Sequence, residues 1–145
     1  MTDAFEDIRE ICQGMRDLLE QMLRESIGTS ETKGACLHAA IILSRALTTF
    51  TGGKAQVAGG GPPMDGGVKD REGRLRGHYW VEGVSATGEA FVADVTADQF
   101  GYDRVVLLPL SEARARYVPG DAAVIAEHVE TEMAAWLKIA ASGLC

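Results

Sequence analysis

Apolar residues recur through residues 3–24 at Phe5, Ile8, Ile11, Cys12, Met15, Leu18, Leu19, Met22 and Leu23. That spacing predicts an amphipathic helix with one buried stripe, which could serve a partner as well as the core. Gly28-Thr29-Ser30 stops it and opens a polar loop through Lys33-Gly34. A second helix is predicted over 35–50, with Leu37, Ala40, Ile41, Leu43, Ala46 and Leu47 apolar almost all round, the pattern of a central buried helix. Thr51-Gly52-Gly53 ends it, and 54–58 reads as a short strand. Residues 59–77, GGGPPMDGGVKDREGRLRG, read as a long loop of the kind that serves as a lid, a binding loop or a disordered segment. Two strands, 77–83 and 89–94, joined by Ser85-Ala86-Thr87-Gly88, form an expected antiparallel hairpin, and 105–108 is a further strand. Pro119-Gly120-Asp121 announces a C-terminal helix with Asp121 as N-cap and an apolar stripe through Val124, Ile125, Val129, Met133, Trp136, Leu137 and Ala140. Helices at both ends and a small antiparallel sheet between them predict one α+β domain over 1–145. It divides into an N-terminal helix (1–27), a core (34–108) and a C-terminal helix (119–142).

Composition narrows what such a domain can do. Lys and Arg total 14 against 21 Asp and Glu, a formal charge of -7. Nucleic acid requires a basic face to neutralise phosphates, and an anionic membrane surface requires the same, so neither is an expected partner. The acidic start, MTDAFEDIREICQGM, lacks the basic and apolar regions of a signal peptide. The longest apolar runs fall far short of the roughly 20 residues of a spanning helix, so the expected location is cytoplasmic. Three cysteines, none in a C-x-x-C pair, suggest neither a zinc site nor a disulfide framework.

Chemistry gathers at three positions. Cys36 stands in G-A-C-L-H, in the first turn of the apolar helix, where unpaired N–H groups and the helix dipole favour thiolate. A lone cysteine in such a helix is more often a small hydrophobe. His78 changes that reading, because it opens the strand H-Y-W-V-E beside the long loop. Asp94 closes the neighbouring strand in F-V-A-D-V-T, and a carboxylate buried there needs a partner. Hairpin pairing brings the two together, with Asp94 expected to accept from His78 Nδ1 while the imidazole takes the Cys36 proton.

These three segments, G-A-C-L-H-A-A-I-I-L-S-R-A-L, G-H-Y-W-V-E and F-V-A-D-V-T-A-D-Q-F, resemble the motifs of the transglutaminase-like branch of the papain-like superfamily. Small bacterial members of that group, including the peptidase proteins of lasso-peptide maturation, are similar at the D-x-T-x-D-Q-F ending. The resemblance covers residues 34–101. It implies a papain-like fold with a central helix on an antiparallel sheet, and a Cys36–His78–Asp94 triad. It also implies thiol attack on a carboxamide or ester in a peptide, protein or small molecule, followed by hydrolysis or transfer, with no metal or organic cofactor. A papain-like site usually completes its oxyanion hole with a polar side chain, often Gln, beside the backbone N–H of the nucleophile. No Gln precedes Cys36 closely, which leaves Gln13 and Gln21 on the first helix as substitutes. A domain that keeps the fold but serves as a binding or adaptor module is the alternative.

Other candidates read as structural. His38, two positions beyond Cys36, points away from it on a helix. His128, among Glu127, Glu130 and Glu132, suggests a solvated acidic face, since no H-E-x-x-H pattern is present. Cys12 belongs to the core stripe and Cys145 is incidental. The glycine clusters, flanked by Pro62-Pro63, match no phosphate loop and suggest a mobile flap. Trp80 is expected in the core beneath the C-terminal helix. Asp98 and Gln99 are expected to hold the Asp94 loop.

Overall fold

The computed structural model describes residues 5–27, 35–61 and 65–143. The expected helix stop at residues 28–30, the loop to Gly34, Pro62-Pro63 and Cys145 lie outside the described residues. Helix α1 (Glu6–Ile27) and helix α2 (Cys36–Phe50) match the two periodic segments, α1 running three residues further than expected. Strands β1 (Lys54–Gly60), β4 (His78–Val84), β5 (Ala90–Asp94) and β6 (Val106–Pro109) form an antiparallel sheet in the order β1-β4-β5-β6. Helix α4 (Ala122–Gly143) opens on the expected cap, with Asp121 Oδ1 accepting from the backbone N–H of Ala123 at 2.8 Å and Val124 at 3.3 Å. The chain is therefore α+β. Among the described residues no helix is long and apolar enough to cross a membrane.

The sheet is buried on both faces, and its central strands show why. In β4, Tyr79 and Val81 face α1 and α2, packing with Cys12, Ala39, Leu43, Phe91 and Ala93. Trp80 faces the other way, into a second core with Val68, Val92, Val106, Ala113 and Tyr117. Successive side chains of a strand point to opposite faces, so a strand covered on both sides reads as a continuous apolar run, as Phe91-Val92-Ala93 does. Trp80 is thus a core residue as expected, but the layer over it is not the C-terminal helix. That layer comes from the segment read as a loop.

Residues 59–77 are not a free lid. They contain strands β2 (Gly67–Lys69) and β3 (Leu75–Arg76), which join β7 (Tyr117–Val118) in a three-stranded sheet of order β3-β2-β7. A short helix α3 (Leu110–Ala113) precedes β7. The β2–β3 turn is organised by Asp70, whose Oδ1 accepts from the N–H of Glu72 and of Arg74, both at 2.9 Å, while Gly73 takes the positive φ of 81°. The glycine cluster serves close packing. A Cβ on Gly60 would stand 2.3 Å from Gly67 N, and one on Gly61 would stand 2.3 Å from Gly77 Cα. Only glycine allows the two sheets to meet there.

Arg16 is the residue that periodicity misassigned by omission. It occupies the apolar stripe of α1, four positions after Cys12, and is only 2% exposed. Its guanidinium donates to the Val95 carbonyl at 2.7 Å and to both Asp98 carboxylate oxygens at 2.8 Å, with Glu20 at 3.1 Å. Asp98 lies on a 3-10 turn (Ala97–Phe100), and Gln99 donates to the Thr96 carbonyl at 3.1 Å. Both residues hold the segment after Asp94, as expected. Arg16→Met removes the buried guanidinium and leaves the Val95 carbonyl without its donor, so it should lower unfolding stability by about 1–3 kcal/mol in urea titrations. Asp98→Asn, which leaves the bond to the Val95 carbonyl in place, should cost less than Arg16→Met.

Candidate active site

Cys36, His78 and Asp94 reach one place from three elements. Cys36 is the first residue of α2, and Ala35 at the N-cap has no side chain to cap the exposed N–H groups. In the β4–β5 register Val81 pairs with Ala93. Extending that register by one pair sets Trp80 opposite Asp94, and His78 lies one diagonal step along the same face. His78 Nε2 donates to Asp94 Oδ2 at 2.8 Å, with both side chains almost fully buried. The expected geometry is therefore corrected in one respect: the nitrogen bound to Asp94 is Nε2, not Nδ1.

That exchange decides what the ring can do. Nδ1 is the one buried side-chain nitrogen or oxygen without a hydrogen-bond partner among the described residues. The ring cannot easily turn to satisfy it. Trp80 stacks at 6.2 Å between centroids and Phe100 meets it edge-on at 4.7 Å. The group beside it is the Cys36 thiol. The two side chains act on each other's protons, although Nδ1 has no hydrogen bond of ordinary geometry. The sulfur is close enough for charge to act. Burial alone would raise the thiol's pKa, but the His78 ring, its charge and the Tyr79 backbone N–H together hold it below the ordinary 9.0. Asp94 opposes that only weakly, through its negative charge.

Asp94 is itself held ionised. Burial pushes its carboxyl up, and the neighbouring His78, the Thr96 N–H and Tyr117 bring it below the ordinary carboxylate value. Oδ1 accepts from the Thr96 N–H at 2.9 Å and its hydroxyl at 3.3 Å, and Oδ2 accepts from the Tyr117 hydroxyl at 2.8 Å. Burial would lower the His78 pKa, yet Asp94, joined by the Cys36 sulfur, outweighs it and the imidazole is raised to about 9. Cys12 shows the contrast: buried without a cation at the sulfur, its thiol is pushed up to about 12.

The remaining candidates separate cleanly from this cluster. Gln13 and Gln21 are both exposed on α1, Gln21 donating to Glu25 at 3.2 Å. His38 is half-exposed, bonded to Glu132 and edge-on to Trp136 at 5.2 Å, so it joins α2 to α4. His128 is not on a solvated face: its Nδ1 shares a 2.6 Å hydrogen bond with the Tyr79 hydroxyl. No group of three or more His, Cys, Asp or Glu among the described residues could hold a metal ion. An apolar groove of about 370 Å³ lies between α1, α2 and α4. Its walls include Ala35, Ala39 and Val95, neighbours of Cys36 and Asp94, together with Leu19, Met22 and Trp136.

Sequence reasoning missed Tyr117 and Phe100, which carried no signal there, since a tyrosine in R-Y-V and a phenylalanine in D-Q-F name no partner. Compared with known proteins, the chain matches no family model, no curated protein and no solved structure.

The two titrations pull stability in opposite directions. The folded chain keeps a proton on His78 up to about pH 9, where an unfolded histidine releases it near about 6.5. That contribution is complete below pH 6.5 and is lost as pH rises through 9. The folded Cys36 gives up its proton earlier than an unfolded thiol. Its contribution is present above the unfolded value and is lost as pH falls through the folded one. Where one proton is gained and one released, the slopes offset each other. Cys36→Ala leaves Asp94 acting alone on His78. That variant should lose stability above pH 6.5 at up to about 1.4 kcal/mol per pH unit, more steeply than the unsubstituted chain, where the thiol's slope opposes the ring's. Urea midpoints at fixed pH measure both, and parallel curves would show that the ring and the thiol do not interact.

Proposed function

We propose that the chain is a cysteine hydrolase or acyltransferase of the transglutaminase-like type, acting on an amide or ester bond through a thioacyl-enzyme. The observation that carries this reading is the buried His78–Asp94 pair, which leaves Nδ1 unpartnered beside a thiol of lowered pKa at an uncapped helix start.

Each part has a role in that chemistry. The Cys36 sulfur, its proton already passed to His78 at Nδ1, attacks the carbonyl carbon as a thiolate. Asp94, bonded at Nε2, fixes the ring's tautomer and stabilises the imidazolium that forms. The N–H groups of the first turn of α2 supply positive ends for the oxyanion, and the helix dipole adds to them. His78 then returns its proton to the leaving group. Water or a second nucleophile attacks the thioester, activated by the same nitrogen. The apolar groove beside Ala35 and Val95 suits an apolar side chain of the acyl donor better than a charged one. The resemblance of the G-A-C-L-H, G-H-Y-W-V-E and D-V-T-A-D-Q-F segments supports the same assignment, and the α+β architecture agrees with it.

The alternative, an adaptor that keeps the fold without the chemistry, has less to support it. Leaving a buried ring nitrogen unbonded costs about 1–3 kcal/mol, which an idle site gains nothing by keeping. The deciding experiment follows iodoacetamide alkylation of Cys36 against pH, with Cys12 and Cys145 tracked separately by peptide mass. A midpoint below 9.0 at Cys36, moved upward and slowed in His78→Ala, is the expected result. Cys12 should stay unreactive in the folded chain. Alkylation at the rate of an ordinary thiol, indifferent to His78→Ala, would point to the adaptor instead.

A further inference from the structure

The chain's cations are not spread evenly. Lys69, Arg71, Arg74, Arg76, Arg114 and Arg116 all fall on the three-stranded sheet, its turn or the approach to β7. Half of them neutralise acidic neighbours: Arg74 and Arg76 bond Asp70, Arg74 also meets Glu72, and Arg114 bonds Glu82 at 2.7 Å. Lys69, Arg71 and Arg116 have no carboxylate within salt-bridge distance among the described residues.

Two of the three set their guanidiniums on one ring, and the backbone of Lys69 reaches the same ring. The guanidinium carbon of Arg116 lies 3.8 Å from the Tyr102 centroid and that of Arg71 lies 5.4 Å from it. The Tyr102 hydroxyl donates to the Lys69 carbonyl, and Arg71 Nε donates to the Gly101 carbonyl at 2.8 Å. Lys69 also stands beside Arg116 across the β2–β7 pair, its N–H donating to the Arg116 carbonyl at 2.9 Å. Like charges set across from each other on paired strands repel, and a chain with 21 acidic residues has ample means to neutralise them. It does not do so here, and neutral groups hold both guanidiniums in place: the Tyr102 ring under each, the Gly101 carbonyl on Arg71 and the Tyr117 hydroxyl beside Arg116.

We propose that Lys69, Arg71 and Arg116, gathered around Tyr102, form a docking site for an acidic peptide segment of a partner or substrate protein. Guanidinium forks match carboxylates in pairs, and stacking on Tyr102 holds them pre-organised for that match. A polyphosphate is the poorer fit. Nucleic acid presents a long run of phosphates that needs a broad basic face, and the net charge of -7 repels it. A short acidic segment needs only the local cluster. This inference is independent of the reading of Cys36, and its test involves no catalysis.

The test is fluorescence anisotropy of the whole chain with labelled hexaglutamate, against a neutral Ser-Gly hexapeptide and a six-nucleotide oligothymidylate. Hexaglutamate should bind, with affinity falling as salt rises. Arg71→Gln and Arg116→Gln should each weaken it by about tenfold. Arg74→Gln, whose charge is already matched, should change it less than about twofold. Lys69→Gln should weaken binding without lowering the melting temperature, since it relieves repulsion. Arg71 sits in an exposed turn, so Arg71→Gln decides the matter even if Arg116→Gln fails to fold. Hexaglutamate binding no better than the neutral peptide, equal loss in Arg74→Gln, or tighter binding of the oligothymidylate would each overturn the proposal.

Discussion

A carboxylate 2% exposed, at the end of a strand that is otherwise apolar, sets the terms for everything around it. Taking such a charge out of water costs several kcal/mol unless opposite charge and hydrogen bonds replace what water gave. Asp94 receives its replacements from separate parts of the chain. His78 comes from β4, Tyr117 from β7, and Thr96 folds back from the segment just beyond. Satisfying one oxygen atom therefore ties the three-stranded sheet to the four-stranded one. Arg16 does the same from α1, reaching the carbonyl of Val95 directly after Asp94 and the carboxylate of Asp98. The site and the fold are one construction, because the interactions that keep Asp94 ionised are those that bring the second layer over the sheet.

How much of this the sequence disclosed depends on whether the cause was local. Helices α1, α2 and α4 follow from the 3.6-residue spacing of apolar side chains, and the β4–β5 hairpin from two apolar runs around a glycine turn. Cys36, His78 and Asp94 were legible because each sits at the end of an element, where a polar residue in apolar surroundings stands out. The second layer was not legible. Strands β2, β3 and β7 are two or three residues long and carry no period of their own. They exist because the other face of β4 and β5, with Trp80 and Val92, must be covered, and that requirement is tertiary. Composition made 59–77 look like a loop because glycine allows two backbones to touch as readily as it allows a chain to move. Arg16 was legible and went unread: a cation in an apolar stripe announces a carboxylate partner.

The exchange of ring nitrogens has the same origin. Sequence gives the pairing of His78 with Asp94 but not the direction from which the ring is approached. That direction is set by Trp80 on one side and Phe100 on the other. Between them the imidazole has one rotamer, with Nε2 toward Asp94 and Nδ1 toward the start of α2. A ring free to turn could shed its unsatisfied nitrogen; a ring held by two aromatics cannot. Aromatic packing, which reads in sequence as ordinary core, thus fixes which nitrogen is available for chemistry.

Stability and chemistry pull apart at this point in a way that can be followed through the residues. Well-packed apolar side chains in place of a buried ion pair often leave a protein equally stable or more so. Phe91, Val92 and Ala93 show that this sheet can be filled in that manner one residue earlier. At Asp94 the pattern breaks, and the break requires a histidine, a tyrosine, a threonine and a locked ring to sustain it. Half-burial of Cys36 compounds the demand, since desolvation raises its pKa and the charge of His78 must outweigh that before a thiolate forms. His78 can carry that charge only while Asp94 stays ionised. The lowered thiol is therefore the last link of a chain of dependences that begins with one carboxylate, and loosening any donor to Asp94 should be felt at the sulfur.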